Sequence, residues 1–138
     1  MIWNVGHAGI WNDTLSVLEL ENMEKAYTWN GDIALATKSE YIRANSSDSC
    51  LTASVLYSNS RTCSTTNYLY KSAYWYWLLS PYSSRVHYPF NVSTNGNLNY
   101  NYANSQSGSV LPALYIKSNI TLSGNGGQES EDMYRIVS

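Results

Sequence analysis

Apolar and polar positions follow different rhythms along this chain. Between residues 1 and 28 the one helical signal sets Leu15, Leu18 and Met23 among Glu19, Glu21 and Glu24, with Asn12, Asp13 or Thr14 placed to cap it. One short helix is predicted there, its acids on a solvated face. In DIALATKSEY, Ile33, Leu35 and Thr37 alternate with Ala34, Ala36 and Lys38, the period-two pattern of a strand, running into a turn or short helix at Ser39 and Glu40. YWYWLL, starting at Tyr74, is closed by Ser80 and Pro81 and predicts a buried strand that ends in a turn. Trp75 and Trp77 alternate with Tyr74 and Tyr76, so one pair faces the core; the other is either covered by the N-terminal part or stacks on a sugar, and core is preferred.

FNVST and NGNLNYNY meet at Asn95-Gly96, a hairpin signal because both central positions of a type I′ turn need positive φ. The last apolar runs, SVLPALYI and MYRIVS, flank SGNGGQESED, whose glycines and acids predict an exposed connection. Short strands after residue 30, one or two helices before it, and no repeat or internal boundary predict a single α+β domain over residues 1–138. Its strands are expected to be short and antiparallel, its loops long and ordered.

Charge narrows the function. Only 13% of the 138 residues are charged and the net charge is −2, so the chain lacks the basic field that displaces counterions from a nucleic-acid backbone, and nucleic acid is not an expected partner. No run approaches the roughly 20 apolar residues that cross a bilayer, so direct membrane insertion is not expected. MIWNVGHAGIWNDT lacks the basic start and apolar run of a secretion signal, which an exported form would carry upstream. Cys50 and Cys63 bracket LTASVLYSNSRT, polar enough for a surface excursion. Either they form a disulfide, which the chain-entropy model values at roughly 3 kcal/mol and which implies an oxidising compartment, or they are unrelated buried thiols.

Little here suggests catalysis. His7 and His87 are far apart, carry no catalytic signature and are read as surface or interface residues; neither has ligand spacing to a cysteine for zinc. Glu129, Glu131 and Asp132 lack the order of a calcium loop and read as an acidic turn. No enzyme, metal or cofactor is expected.

The segment over residues 82–109 stands apart. Between Arg85 and Lys117 no Asp, Glu, Lys or Arg occurs, while Asn, Ser and Tyr recur. Such composition fits a disordered prion-like tract, a β-meander with Asn and Tyr facing outward, or a binding face. Apolar runs ending at Leu79 and beginning at Val110 hold the segment on a folded scaffold. Tyr supplies amphipathic area at little rotamer entropy and Asn, Ser and Gly supply adaptable hydrogen bonds, the mixture of antibody paratopes, so a binding face is preferred.

SAYWYWLLSPYSS, then FNVSTNGNLNYNYANSQSGSVLPALYIKSN, and upstream ALATKSEYIRANSSDSC and TTNYLYKSAYW, resemble the C-terminal domain of surface proteins of Gram-positive gut bacteria. These resemble the formylglycine-generating-enzyme-like branch of the C-type-lectin fold; some are variable proteins of diversity-generating retroelements, others adhesins behind a pilin-like N-terminus. The resemblance covers about residues 30 to 138. Leu111 stands where that family has Arg, Ser109 where it has Gly, and the ending is more acidic. Formylglycine-generating chemistry rests on reactive cysteines, and the spacing of Cys50 and Cys63 does not resemble such a site.

The resemblance implies a cell-surface, extracellular adhesin or receptor-binding domain that recognises a surface protein or glycan without catalysis. In the retroelement branch, randomised adenines of Asn codons leave Asn, Tyr, Ser, His and Asp, and exclude Lys, Glu, Gln, Met and Trp; over residues 82–109 only Gln106 breaks that rule. The implied variable positions are Ser84, Arg85, His87, Tyr88, Asn91, Ser93, Asn95, Asn99, Tyr100, Asn101, Tyr102, Asn104 and Ser105. Trp75, Trp77, Leu78, Pro81, Val92, Gly96, Val110, Pro112 and Leu114 are the implied scaffold. Tyr88, Tyr100, Tyr102 and Arg85 are the expected affinity anchors, since Tyr and Arg dominate hot spots. The alternatives are a pilus-tip or surface-layer subunit packing as a homo-oligomer, and a carbohydrate lectin of fixed specificity.

Overall fold

The structure, a computed structural model, describes residues 1–10, 13–52, 56–57, 61–114, 119–124 and 135–137. In chain order its elements are β1 (Ile2–Asn4), α1 (Val17–Glu24), β2 (Thr28–Asn30), β3 (Ala34–Leu35), α2 (Lys38–Arg43), a 3-10 turn (Asp48–Cys50), α3 (Arg61–Thr65), β4 (Tyr76–Tyr82), β5 (Arg85–Val92), β6 (Leu98–Tyr100), β7 (Pro112–Ala113), β8 (Thr121–Ser123) and β9 (Arg135–Val137). The architecture is α+β. Antiparallel pairs β1–β2, β3–β7 and β8–β9 accompany an antiparallel sheet of order β4-β5-β6.

Local chemistry sets the helices. α1 starts at Ser16, not at Asn12, Asp13 or Thr14: Ser16 and Glu19 form a reciprocal capping box, and Glu19 Oε2 accepts the Ser16 amide at 2.8 Å. That hydrogen bonding also holds the Glu19 carboxyl below its ordinary pKa. Asn12 lies outside the described residues. α2 begins where the strand pattern of β3 gives way, because Thr37 and Glu40 close a second capping box. α2 meets the expectation of a turn or short helix at Ser39 and Glu40, while α3 and the pairing of β1 with β2 within the first thirty residues depart from the predicted division.

Of the acids of α1 only Glu19 lies on a solvated face. Glu24 is 1% exposed, accepting from the Ser39 amide at 3.1 Å, from the Ser39 hydroxyl and from Ser80 Oγ at 2.7 Å. Glu21 pairs with Arg43 of α2. Asp13 turns inward to Lys38 Nζ at 2.9 Å. Lys38 is fully buried and also donates to the carbonyls of Ala8 at 2.8 Å and Ile10 at 3.4 Å, with its ammonium 4.3 Å from the centre of the Phe90 ring. Burial lowers its pKa, while the bond to Asp13 opposes the shift. These bonds fasten the N-terminal segment to α2 and to the core under β4.

Cys50 and Cys63 are joined by a disulfide, with Cα atoms 5.5 Å apart. The segment between them is not only a polar excursion: Leu56 and Tyr57 enter the core with Leu20, Tyr41, Ile42, Tyr76, Leu78, Phe90, Val92 and Leu98. Its residues 53–55 and 58–60 lie outside the described ones.

Candidate functional site

Alternation along the central sheet separates two faces. Tyr76, Leu78 and Ser80 of β4, Phe90 and Val92 of β5 and Leu98 of β6 are buried against the core. The residues between them lie on the outer face, where Trp77, Asn91 and Asn99 form one cross-strand row. The tryptophans therefore do not face the core; Tyr76 and Leu78 do. Nor does the strand stop at Ser80 and Pro81. Pro81 stands opposite Pro89 within β4, where the register shifts on both sides, and the turn to β5 falls at residues 83–84. The next hairpin sits at Asn95-Gly96 as expected, but with three residues between the paired Ser93 and Asn97, and with Gly96 at φ +84°.

Trp75 and Trp77 pack edge to face, ring centres 4.7 Å apart. Residues 108–109 run beside them: Ser109 bridges Tyr76, its amide donating to the Trp75 carbonyl at 3.0 Å and its carbonyl accepting from the Trp77 amide at 3.1 Å. Gly108 is required here, because a Cβ would collide with Trp77 Nε1 and the Trp75 ring. The indole of Trp75 is thereby set as one wall of a cleft of about 230 Å³, lined further by Asn91, Ser93, Thr94, Asn99, Tyr100 and Asn101.

The polar groups of this cleft are unevenly used. Asn99 Oδ1 accepts the amide of Tyr100, and Asn101 Oδ1 that of Tyr102, each at 2.8 Å, leaving two carboxamide NH₂ groups as donors. Asn91 is 5% exposed, yet its carboxamide has no hydrogen-bond partner among the described residues.

From the core-side face of the same sheet, where Phe90 stands opposite Tyr100 and Tyr82 packs against the core, the rings form a chain. Phe90 stacks on Tyr82, Tyr82 meets Tyr100 at 5.2 Å, Tyr100 meets Tyr88 at 5.8 Å, Tyr88 meets Tyr102 at 4.2 Å, and His87 stacks on Tyr102 at 6.2 Å. The Arg85 guanidinium lies 5.7 Å from the Tyr88 ring centre. Hydrogen bonding with Tyr102 raises the pKa of the Tyr88 phenol, and Arg85 opposes it.

Of the thirteen residues picked from the sequence, Asn91, Ser93, Asn99, Tyr100 and Asn101 line the cleft, and Arg85, His87, Tyr88 and Tyr102 belong to the aromatic chain. Tyr88 is nearly buried while Tyr102 is 54% exposed, so of these two anchors only Tyr102 presents its ring broadly to solvent. Ser84 lies in the β4–β5 turn, Asn95 caps the β5–β6 hairpin by accepting from Ser93 Oγ and the Asn97 amide, and Asn104 and Ser105 occupy the turn after Tyr102; none lines the cleft. Trp75 and Thr94 do, and were not among the chosen residues. Trp75 shares the outer face with the asparagines by simple alternation, a signal the sequence carries.

Implied scaffold residues Val110 and Pro112 line a second, apolar groove of about 480 Å³ with Trp29, Ile33, Ala34, Leu35 and Leu79. His7 is half-buried with Nδ1 unpartnered, not a surface residue, whereas His87 is exposed. Among the described residues no three His, Cys, Asp or Glu side chains gather as metal ligands; Glu129, Glu131 and Asp132 lie outside those residues.

These features define an α+β domain with a polar-aromatic cleft on one sheet face. Residues 15–118 match the family model described as "Domain of unknown function (DUF6273)", and the chain belongs to that family. No curated protein and no solved structure matches it.

Proposed function

We propose that this chain is a non-enzymatic ligand-binding domain of a bacterial cell surface, with a C-type-lectin-like scaffold, and that it takes its ligand on the outer face of the β4–β6 sheet. The observation that carries the reading is the convergence of Asn91, Ser93, Asn99, Tyr100 and Asn101 on one cleft beside Trp75. Rigid rings give contact area at low entropic cost, and carboxamides and hydroxyls adapt to a partner. The Cys50–Cys63 disulfide is in keeping with an oxidising, extracellular compartment. The resemblance to retroelement variable proteins adds diversification of this face to the proposal.

The fluorescently labelled domain is expected to bind saturably to at least one of a panel of gut bacteria and intestinal epithelial cells by flow cytometry. The double variant Asn99→Arg/Asn101→Arg, which changes only exposed positions, weakens that binding at least about tenfold, and Asn104→Arg leaves it intact. Binding to none of the cells, or undiminished binding by the double variant, sinks the reading.

The apolar groove favours a second reading, a structural pilus or surface-layer subunit, since Ile33 and Val110 are 56% and 61% exposed there. Self-association of the purified domain in sedimentation, abolished by Ile33→Glu and untouched by the double variant, marks that outcome.

A further inference from the structure

The chemistry of the cleft narrows the ligand beyond "surface protein or glycan". Its lining carries no ionisable side chain apart from the phenol of Tyr100; it is built from one indole, three carboxamides and two hydroxyls. These groups offer no formal charge to pair with an anionic or cationic ligand. A neutral ligand dense in hydrogen-bonding groups fits them, because each carboxamide offers donors and acceptors on one side chain, as each sugar hydroxyl both donates and accepts. Its volume, about 230 Å³, lies below the roughly 300–1,000 Å³ of clefts for drug-sized ligands, so it takes one ring-sized unit of a larger molecule.

Two further details point the same way. The Trp75 ring is fixed by Trp77 and by the Gly108 backbone before any ligand arrives, so stacking an apolar ring face on it costs little ordering. Asn91 lines the cleft with a carboxamide that has no partner among the described residues and is reached by solvent, a position that a ligand hydroxyl can take. An extended peptide is a poorer match. Strand addition reads the backbone groups of a sheet edge, whereas these donors and acceptors are side chains on a sheet face.

We infer that the cleft binds a neutral pyranose unit of a surface glycan, its apolar face against Trp75 and its hydroxyls on the carboxamides of Asn91, Asn99 and Asn101, without a metal ion. This deepens the proposed function and rests on it only for the location of the glycan on a cell surface.

The probes are methyl pyranosides of glucose, galactose, mannose and N-acetylglucosamine, titrated into the ¹⁵N-labelled domain and followed by NMR. At least one should shift the Trp75 indole and the Asn91 carboxamide signals saturably, with a dissociation constant on the order of 1 mM, as expected of a single ring-sized ligand. Trp75→Ala and Asn91→Leu should each weaken it at least about tenfold, Trp75→Phe should retain most of it, and Asn104→Ala should leave it unchanged. If either cleft variant fails to fold, judged from signals remote from the cleft, Asn99→Arg/Asn101→Arg takes its place. Pyranoside shifts that map elsewhere, or no shift with any probe, overturn the inference. If no pyranoside binds yet the double variant still abolishes cell binding, the ligand is a polypeptide and the proposed function stands. If pyranosides bind the cleft but the domain binds no cell, the saccharide inference stands and the cell-surface reading falls.

Discussion

Three asparagines of this domain are almost equally buried, and they are used in opposite ways. Asn45 and Asn67, each 7% exposed, lie beside the disulfide-closed segment. Asn45 donates to the Cys63 carbonyl at 2.6 Å and accepts from the Ser47 amide at 3.1 Å and Thr66 Oγ1 at 2.7 Å. Asn67 donates to the Tyr41 carbonyl at 2.8 Å and accepts from the Leu69 amide at 2.9 Å. Asn91, on the outer face of the central sheet, is 5% exposed and has no partner among the described residues. Where a carboxamide serves the fold, both its ends are bonded. Where one lines a cleft unbonded by the protein and reached by solvent, its donor and acceptor are left available to a ligand.

The partnered interior should break most severely at its charge pair. Lys38→Met removes an ammonium held by Asp13 and by the carbonyls of Ala8 and Ile10, and leaves the Asp13 carboxylate buried, with Oδ1 already unpartnered. Breaking one side of such a pair costs about 3–5 kcal/mol, read as a lowered urea midpoint. Lys38→Met/Asp13→Leu should recover a large part of that loss, because the cost lies in the orphaned charge. A single variant that unfolds at the parental midpoint would mean that the pair contributes nothing to the fold.

How much of this was legible in the sequence differs between the two regions. The β3 strand and the following helix were readable because their determinants are local: alternation over residues 33–38 and the Thr37–Glu40 capping box. The asparagine columns of the outer face were readable for the same reason, since period-two spacing puts Asn91, Asn99 and Asn101 on one side. The interior network was not. Glu24 looks like one more acid on an exposed helix, and its partners Ser39 and Ser80 lie 15 and 56 residues away. Asp13 looks like a cap until Lys38, 25 residues on, takes it. Alternation alone does not say whether Trp75 and Trp77 or Tyr74 and Tyr76 face the core, and what turns Trp75 into a cleft wall is the return of residues 108–109 alongside it.

A smaller loss should follow when a partnered carboxamide is removed. Asn67→Leu keeps the volume nearly constant but strips the Tyr41 carbonyl and the Leu69 amide of their bonds, so a cost of about 1–3 kcal/mol is expected. A change below about half a kilocalorie would mean that water replaces the side chain there and that burial of Asn67 is not what makes its bonds count.

The smallest change in stability, and the sharpest use of the contrast, belongs to Asn91→Leu. The same substitution at nearly the same burial takes away no hydrogen bond among the described residues, and it replaces an unsatisfied carboxamide with an apolar group beside Trp77 and Asn99. Because that carboxamide meets solvent and no protein partner, its loss is neutral to within about 1 kcal/mol, so the urea midpoint should hold while occupancy of the cleft is lost. An unchanged midpoint together with loss of binding marks a residue that meets the ligand and does not hold the fold. If Asn91→Leu instead destabilises as much as Asn67→Leu, the carboxamide is bonded in solution by the protein or an ordered water, and the contrast between the two regions disappears.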